Sequence, residues 1–256
     1  MSVTVCDFTK VYESQPFMEG LRLSEKATWL DLSGISGTDC YCDDEAVETI
    51  RRRIADAGIK DASGIHFFDN GNYHYMSKIW TDMVQEPFSL VVFDHHPDMQ
   101  EPRFGDILSC GGWVKKVLGE NKFVENVVII GVANHLVKEI SSEIASFIRE
   151  SETANHTFHI PHFTSPHPTS IYISIDKDAL SPAYAATNWD QGSLSLEQMK
   201  ALITEIAKDH RIIGVDICGE RAQDFSGDER HTVQEVDALN DCTNRELVEF
   251  LQNFLR

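Results

Sequence analysis

The residues best equipped for chemistry fall in three short stretches. Val91-Val92-Phe93-Asp94-His95-His96-Pro97-Asp98 runs three apolar residues straight into two carboxylates and two imidazoles. Ser174-Ile175-Asp176-Lys177-Asp178 closes a second apolar run with a D-x-D pair, and His74 follows a third through Asp69-Asn70-Gly71-Asn72-Tyr73. Polar groups at the edge of a core cost free energy unless something pairs with them. Alternate residues of an extended segment face the same way, so Asp94, His96 and Asp98 are expected to share a side, as are Asp176 and Asp178. This set of carboxylates and imidazoles is too large for one zinc ion, whose structural sites use four ligands and favour Cys and His. Mixed carboxylate and imidazole donors suit a pair of harder divalent ions, Mn(II) above all. Two such ions generate hydroxide from water at neutral pH, so the set reads as a binuclear hydrolytic centre. Asp69 and Asp216 also fit ordinary turn or cap roles, and His95, pointing away from His96, fits packing.

The elements that must position these groups are legible as alternating runs. Apolar, β-branched stretches at 2–8, 27–32, 64–69, 88–94, 126–132, 170–176 and 211–217 predict strands. Amphipathic stretches at 44–58, 75–85, 109–119, 135–149, 195–209 and 244–254 predict helices. Ser195 followed three residues on by Gln198 is a capping-box signature. Such alternation with continuous apolar strands marks a mostly parallel sheet covered on both faces, in one α/β domain spanning 1–256. Ligands of open parallel sheets gather beyond the carboxyl ends of the strands, which is where the acids and imidazoles stand here. The segment 151–170, with His156, His159 and His162 spaced by three, also carries prolines that oppose a helix; it is expected to be a surface loop beside the site.

Bulk properties exclude other classes. A net charge of -19 opposes nucleic-acid binding, and a negative field favours cationic small molecules only mildly. The six cysteines follow no disulfide-framework spacing. No apolar run reaches the roughly 18 residues a membrane helix needs, and the first dozen residues carry no signal-peptide pattern. A soluble, cytoplasmic protein with no membrane partner is the expectation.

Taken together, the three stretches resemble the ureohydrolases: arginase, agmatinase, formiminoglutamase and their relatives. That family carries G-G-D-H, D-A-H-x-D and S-x-D-x-D-x-x-D-P motifs. The counterparts are Gly71-Asn72-Tyr73-His74, Asp94-His95-His96-Pro97-Asp98 and Ser174-Ile175-Asp176-Lys177-Asp178-Ala179-Leu180-Ser181-Pro182. The resemblance covers roughly residues 60–256, and the stretch Ala183 to Leu196 resembles the family's P-G-T-G-T-P-x-x-G-G-L-T segment in its late Gly192. It implies a three-layer α/β/α sandwich and two Mn(II) ions. One would be held by His74, Asp94, Asp98 and Asp176, the other by His96, Asp94, Asp176 and Asp178, with Asp94 and Asp176 bridging. A bridging hydroxide would attack the planar carbon of a cationic guanidino or amidino compound, with Asp98 accepting its hydrogen bond. Homo-oligomers are common among relatives. Two departures bear on the substrate. Where the family has a proton-shuttling histidine in S-H-G, this chain has Ser109-Cys110-Gly111-Gly112, which makes Cys110 a pocket-lining candidate. The guanidinium-binding glutamate normally stands three residues after a late-strand Asp. Here Glu220 stands four after Asp216, with Gly219 inserted.

Two other classes compete. Asp94-His95-His96 matches the third motif of DHH-type manganese phosphoesterases, but residues 1–90 lack their early H-x-x-x-D-x-D pattern, and Asp98 and the D-x-D pair stay unexplained. Loss of the shuttle histidine also suits a non-catalytic, metal-stabilised binding protein of arginase-like fold.

Overall fold

A computed structural model describes residues 2–24, 26–102, 105–140, 145–154 and 170–255. In chain order its elements are β1 (Val3–Asp7), α1 (Pro16–Leu23), β2 (Ala27–Asp31), β3 (Tyr41–Cys42), α2 (Asp44–Asp56), β4 (Ile65–Phe67) and α3 (Met76–Thr81). Then come β5 (Phe88–Phe93), β6 (Leu108–Ser109), α4 (Trp113–Glu120), β7 (Val124–Val132), β8 (Ala145–Arg149) and α5 (Glu150–Ala154). The last are β9 (Ser170–Asp176), α6 (Leu196–Ala207), β10 (Arg211–Cys218) and α7 (Val233–Leu251). Eight strands form one sheet in the order β2-β1-β4-β10-β9-β5-β7-β8, parallel at every pairing. β3 and β6 form a separate antiparallel ribbon.

Period-two alternation divides the core between the two sheet faces. Val91 and Phe93 pack with Ile173, Ile175, α6 and α7. Leu90 and Val92 pack with Ile129 and with α2, α3 and α4. A strand buried on both faces carries few polar side chains, which is why β5 reads FSLVVF, with Ser89 its one polar residue, and is buried along its length. The result is the expected α/β/α sandwich around a parallel sheet. Among the described residues, no helix is long and apolar enough to cross a membrane.

All seven expected strands are present, and α6 starts at its Ser195–Gln198 capping box. The expectation of a helix over 135–149 is overturned. That stretch forms a 3-10 turn at Val137–Glu139 and then β8, which pairs in parallel with β7. The free backbone donors and acceptors along β7 need a partner, and pairing there outweighs local helical spacing. The last helix is longer than 244–254. It opens at a second capping box, formed by Thr232 and Glu235. Helix α1 was not anticipated; Pro16 starts it, and the Asp241 carboxylate accepts from Phe17 and Met18 N–H. Most of the His-rich segment, including His156, His159 and His162, lies outside the described residues.

Candidate metal centre and active site

Three strand ends, those of β4, β9 and β5, deliver the predicted ligands to one place. After β4, the Asn70 side chain accepts from Asn72 N–H and caps a 3-10 turn at Gly71–Tyr73 that ends on His74. Asp94 follows the last residue of β5, and its Oδ1 accepts the His96 N–H at 2.6 Å, folding the D-H-H-P-D stretch into a loop. Asp98 turns further, with a left-handed φ of 49°. Asp94, His96 and Asp98 therefore reach one cavity through a tight loop and not through strand alternation, with Asp98 beside His74 and His96 beside Asp178. Asp176 ends β9 and accepts the Asp178 N–H at 2.9 Å, so the D-x-D pair is fixed by its own backbone.

The side chains meet as two linked groups. His74, Asp94 and Asp98 place ligand atoms within 4.8 Å of one another, and so do Asp94, His96 and Asp178. Asp94 is common to both. His74 turns Nδ1 inward, 3.2 Å from Asp94, 3.0 Å from Asp98 and 3.7 Å from Asp176. Its outer nitrogen, Nε2, is tied to Ser174 Oγ at 2.8 Å. His96 has the same arrangement: Nδ1 lies 2.9 Å from Asp178, while Nε2 pairs with Asp190 at 3.0 Å. Trp113 Nε1 donates to Asp98 Oδ2 at 2.7 Å. Each imidazole is thus held at one nitrogen and offers the other, as metal-ligating histidines do.

Electrostatics favour a cation at this point. Burial, followed by repulsion from Asp178, pushes Asp176 up to about 7. Burial, followed by repulsion from Asp94, pushes Asp178 up to about 6. Burial opposes the charged forms of His74 and His96, yet their carboxylate neighbours raise both well above the ordinary imidazole value. Asp94 Oδ2 is fully buried and receives no directed hydrogen bond. Buried carboxylates this crowded, with inward-facing imidazole nitrogens and an orphaned oxygen, fit divalent metal ions by donor type and charge.

A cavity of about 300 Å³ opens over the groups. Beyond the ligands, Cys40, Tyr41, Gln100, Ser109, Cys110 and Trp189 contribute to its wall. Cys110 is therefore where a pocket-lining residue was expected. The neighbouring Cys110 thiol lowers the Cys40 pKa, and Cys40 together with burial raises that of Cys110.

Glu220 lies elsewhere. It is fully buried, its Oε1 paired with Lys177 Nζ at 2.5 Å and with Asn244, and its Oε2 with Gln15 Nε2 at 2.9 Å. It is not part of the cavity wall. The expectation that Glu220 reads a cationic substrate is corrected: Lys177, between the two acids of the D-x-D pair, holds it inside the scaffold. Gly219 makes this turn possible, with φ of 89°, because a Cβ there would collide with Asp176 Oδ1 and stand 2.7 Å from Lys177 N.

Sequence reasoning missed three partners. Cys218 ends β10 opposite Asp176, to which its thiol donates at 3.2 Å, and it forms a third close group with His74 and Asp176. A polar residue closing an apolar strand was the available signal. Asp190 and Trp189 arrive on the loop after β9, and nothing local in AYAATNWDQG marks their destination.

An eight-stranded parallel sheet between helical layers, with a carboxylate-rich cluster at its carboxyl edge, defines an α/β/α fold with a candidate metal site. Residues 64–222 match the Arginase family, and the chain belongs to that family. It is 28% identical over 218 residues to an uncharacterized protein of Thermotoga maritima, covering 85% of this chain and 79% of the relative. Among solved structures it resembles proclavaminate amidino hydrolase from Streptomyces clavuligerus, with a TM-score of 0.67 and 15% identity over 97% of this chain and 91% of that one. It also resembles arginase from Bacillus caldovelox, with a TM-score of 0.62 and 14% identity over 96% and 98% of the two chains. At such identity these likenesses speak for the fold.

Proposed function

We propose that this protein is a hydrolase that binds two Mn(II) ions and cleaves a C–N bond of a small guanidino or amidino compound. The observation carrying the reading is the pair of acid–imidazole groups that share Asp94, each with a histidine anchored at its outer nitrogen. His74, Asp94, Asp98 and Asp176 would hold one ion, and His96, Asp94, Asp176 and Asp178 the other. When bound, such ions supply an activated water at neutral pH and draw electron density from the carbon under attack.

The chain's own side chains do the rest. Ser174 and Asp190 fix the ring orientations of His74 and His96, so that each offers Nδ1. Trp113 holds Asp98 at the cavity wall, where Asp98 accepts a proton from the attacking water and passes it to the leaving nitrogen. Cys110 and Tyr41 face the substrate's remainder, and a planar cationic head approaches the carboxylates without help from Glu220. Full-length protein supplied with Mn(II) is expected to release urea or ammonia from at least one member of a panel of guanidino, amidino and amide compounds. Two bound ions per chain with no release from any of them would favour a binding protein and overturn the reading.

A further inference from the structure

We propose that Cys40 and Cys110 form a reversible disulfide in the cavity wall when the protein meets a hydroperoxide. In the β3–β6 ribbon Tyr41 stands opposite Ser109 and Cys42 opposite Leu108. Just beyond that ladder Cys40 takes a left-handed φ of 57° and Cys110 opens a 3-10 turn at Cys110–Gly112, and the Cys110 N–H donates to the Cys40 carbonyl at 2.9 Å. That backbone hydrogen bond keeps the two residues side by side, and a disulfide spans Cα separations of roughly 4.4–6.8 Å. The two thiols are close enough for each to shift the other's pKa. Both residues are partly exposed and line the cavity, whereas Cys6, Cys42 and Cys218 are buried. A peroxide that enters the cavity therefore reaches these two sulfurs before it reaches Cys42, which is absent from the wall.

The chemistry balances with the peroxide as oxidant. The Cys40 sulfur attacks one peroxide oxygen, the O–O bond breaks, and the other oxygen leaves and takes up the thiol proton. The resulting Cys40 sulfenic acid is attacked by the Cys110 sulfur, whose proton departs with the hydroxyl as water. Two thiols and one hydrogen peroxide thus give one S–S bond and two waters, the sulfurs losing the two electrons that the O–O bond gains. A small dithiol reverses the step by exchange. The bridge removes two thiol groups from the wall and ties the 33–42 segment to the strand before α4. Its effect on turnover rests on the hydrolase reading; its formation does not.

The test treats the full-length, Mn(II)-supplied protein with an equivalent of hydrogen peroxide, alkylates the remaining thiols after unfolding, and maps peptides by mass spectrometry. The expected result is a Cys40–Cys110 crosslink as the main product, lost again after dithiothreitol, with Cys6, Cys42 and Cys218 alkylated. In Cys110→Ser the oxidation of Cys40 should stop at a sulfenic acid trapped by dimedone. A main product joining Cys40 to Cys42, or irreversible oxidation without a crosslink in the unmutated protein, would overturn the proposal. With a turnover substrate in hand, oxidation should shift KM at least threefold at unchanged metal content. Absence of turnover in both redox forms would count against the hydrolase reading alone, because the crosslink is read by mass.

Discussion

Replacing Asp94 by Asn tests the centre most directly, because Asp94 alone belongs to both acid–imidazole groups around His74 and His96. The amide keeps the shape and can still accept the His96 N–H that Asp94 Oδ1 now takes. What disappears is one negative charge facing two cation positions. Unit charges about 4 Å apart interact by about 4 kcal/mol at an effective dielectric near 20, so a divalent ion loses up to about 8 kcal/mol of attraction. The amide dipole and the relief of carboxylate repulsion offset much of this. Even a third of it, about 2.7 kcal/mol, weakens each position about 100-fold. At 100 times its Kd an ion stabilises the folded protein by about 2.7 kcal/mol, which raises Tm by about 5–10 °C for a chain of this size. Elemental analysis after gel filtration and melts with Mn(II) or EDTA should then separate three cases. The unmutated protein gains from two ions, Asp178→Asn keeps one ion and about half the rise, and Asp94→Asn keeps neither. Without metal, relief of the Asp94–Asp178 repulsion is offset by lost attraction to His74 and His96, so the EDTA melt of each variant serves as its own baseline. Equal loss of metal in both variants, or full retention in Asp94→Asn, would refute the shared-carboxylate reasoning.

Proton linkage gives a second expectation. Asp176 and Asp178 have folded values of about 7 and about 6, above the ordinary 3.8. The unfolded chain therefore sheds these protons first, and metal-free stability falls as pH rises from about 4 to about 7. His74 and His96, whose values are raised, add stability that is complete below the ordinary 6.5 and is lost as pH climbs through their folded values. Bound metal must displace these protons, so the Tm gap between Mn(II) and EDTA should widen from pH 5.5 to pH 8, and a gap independent of pH would contradict it. Glu220→Gln strands the buried Lys177 charge and should cost about 3–5 kcal/mol, a fall in Tm of several degrees at unchanged metal stoichiometry; loss of substrate affinity with unchanged Tm would restore Glu220 to the pocket. Trp113→Phe removes the donor to Asp98 and should weaken binding at the His74 position about 10–100-fold, measured by calorimetric Mn(II) titration.

Strands and ligands were legible because they follow short-range rules. Each fully buried strand announces itself as an unbroken apolar run, and the acids and imidazoles stand at the ends of those runs. β8 was hidden because an edge strand needs only one apolar face, and Ala145–Arg149 offers too short a stretch to separate period two from a helical turn. Glu220 was misplaced because its direction is set by Lys177, 43 residues earlier in the chain, and by Gln15, 205 residues earlier. The outer partner of His96 was equally out of reach, since Asp190 comes 94 residues later on an irregular loop. Ser174 was visible inside its motif, but its role as the anchor of His74 needs the register of β9 against its neighbours.

The position of β10 has a consequence for how the centre comes into being. It is the sole pairing partner that joins the β2-β1-β4 half of the sheet to the β9-β5-β7-β8 half. His74 hangs from the first half, whereas Asp94, Asp98, Asp176 and Asp178 hang from the second. The His66–Asp216 contact that registers β10 on β4 closes a loop of 150 residues, a late event in the search for native pairings. During refolding the His96 position, built wholly from the second half, should acquire its ion first. The His74 position becomes competent only once that central strand has zipped in.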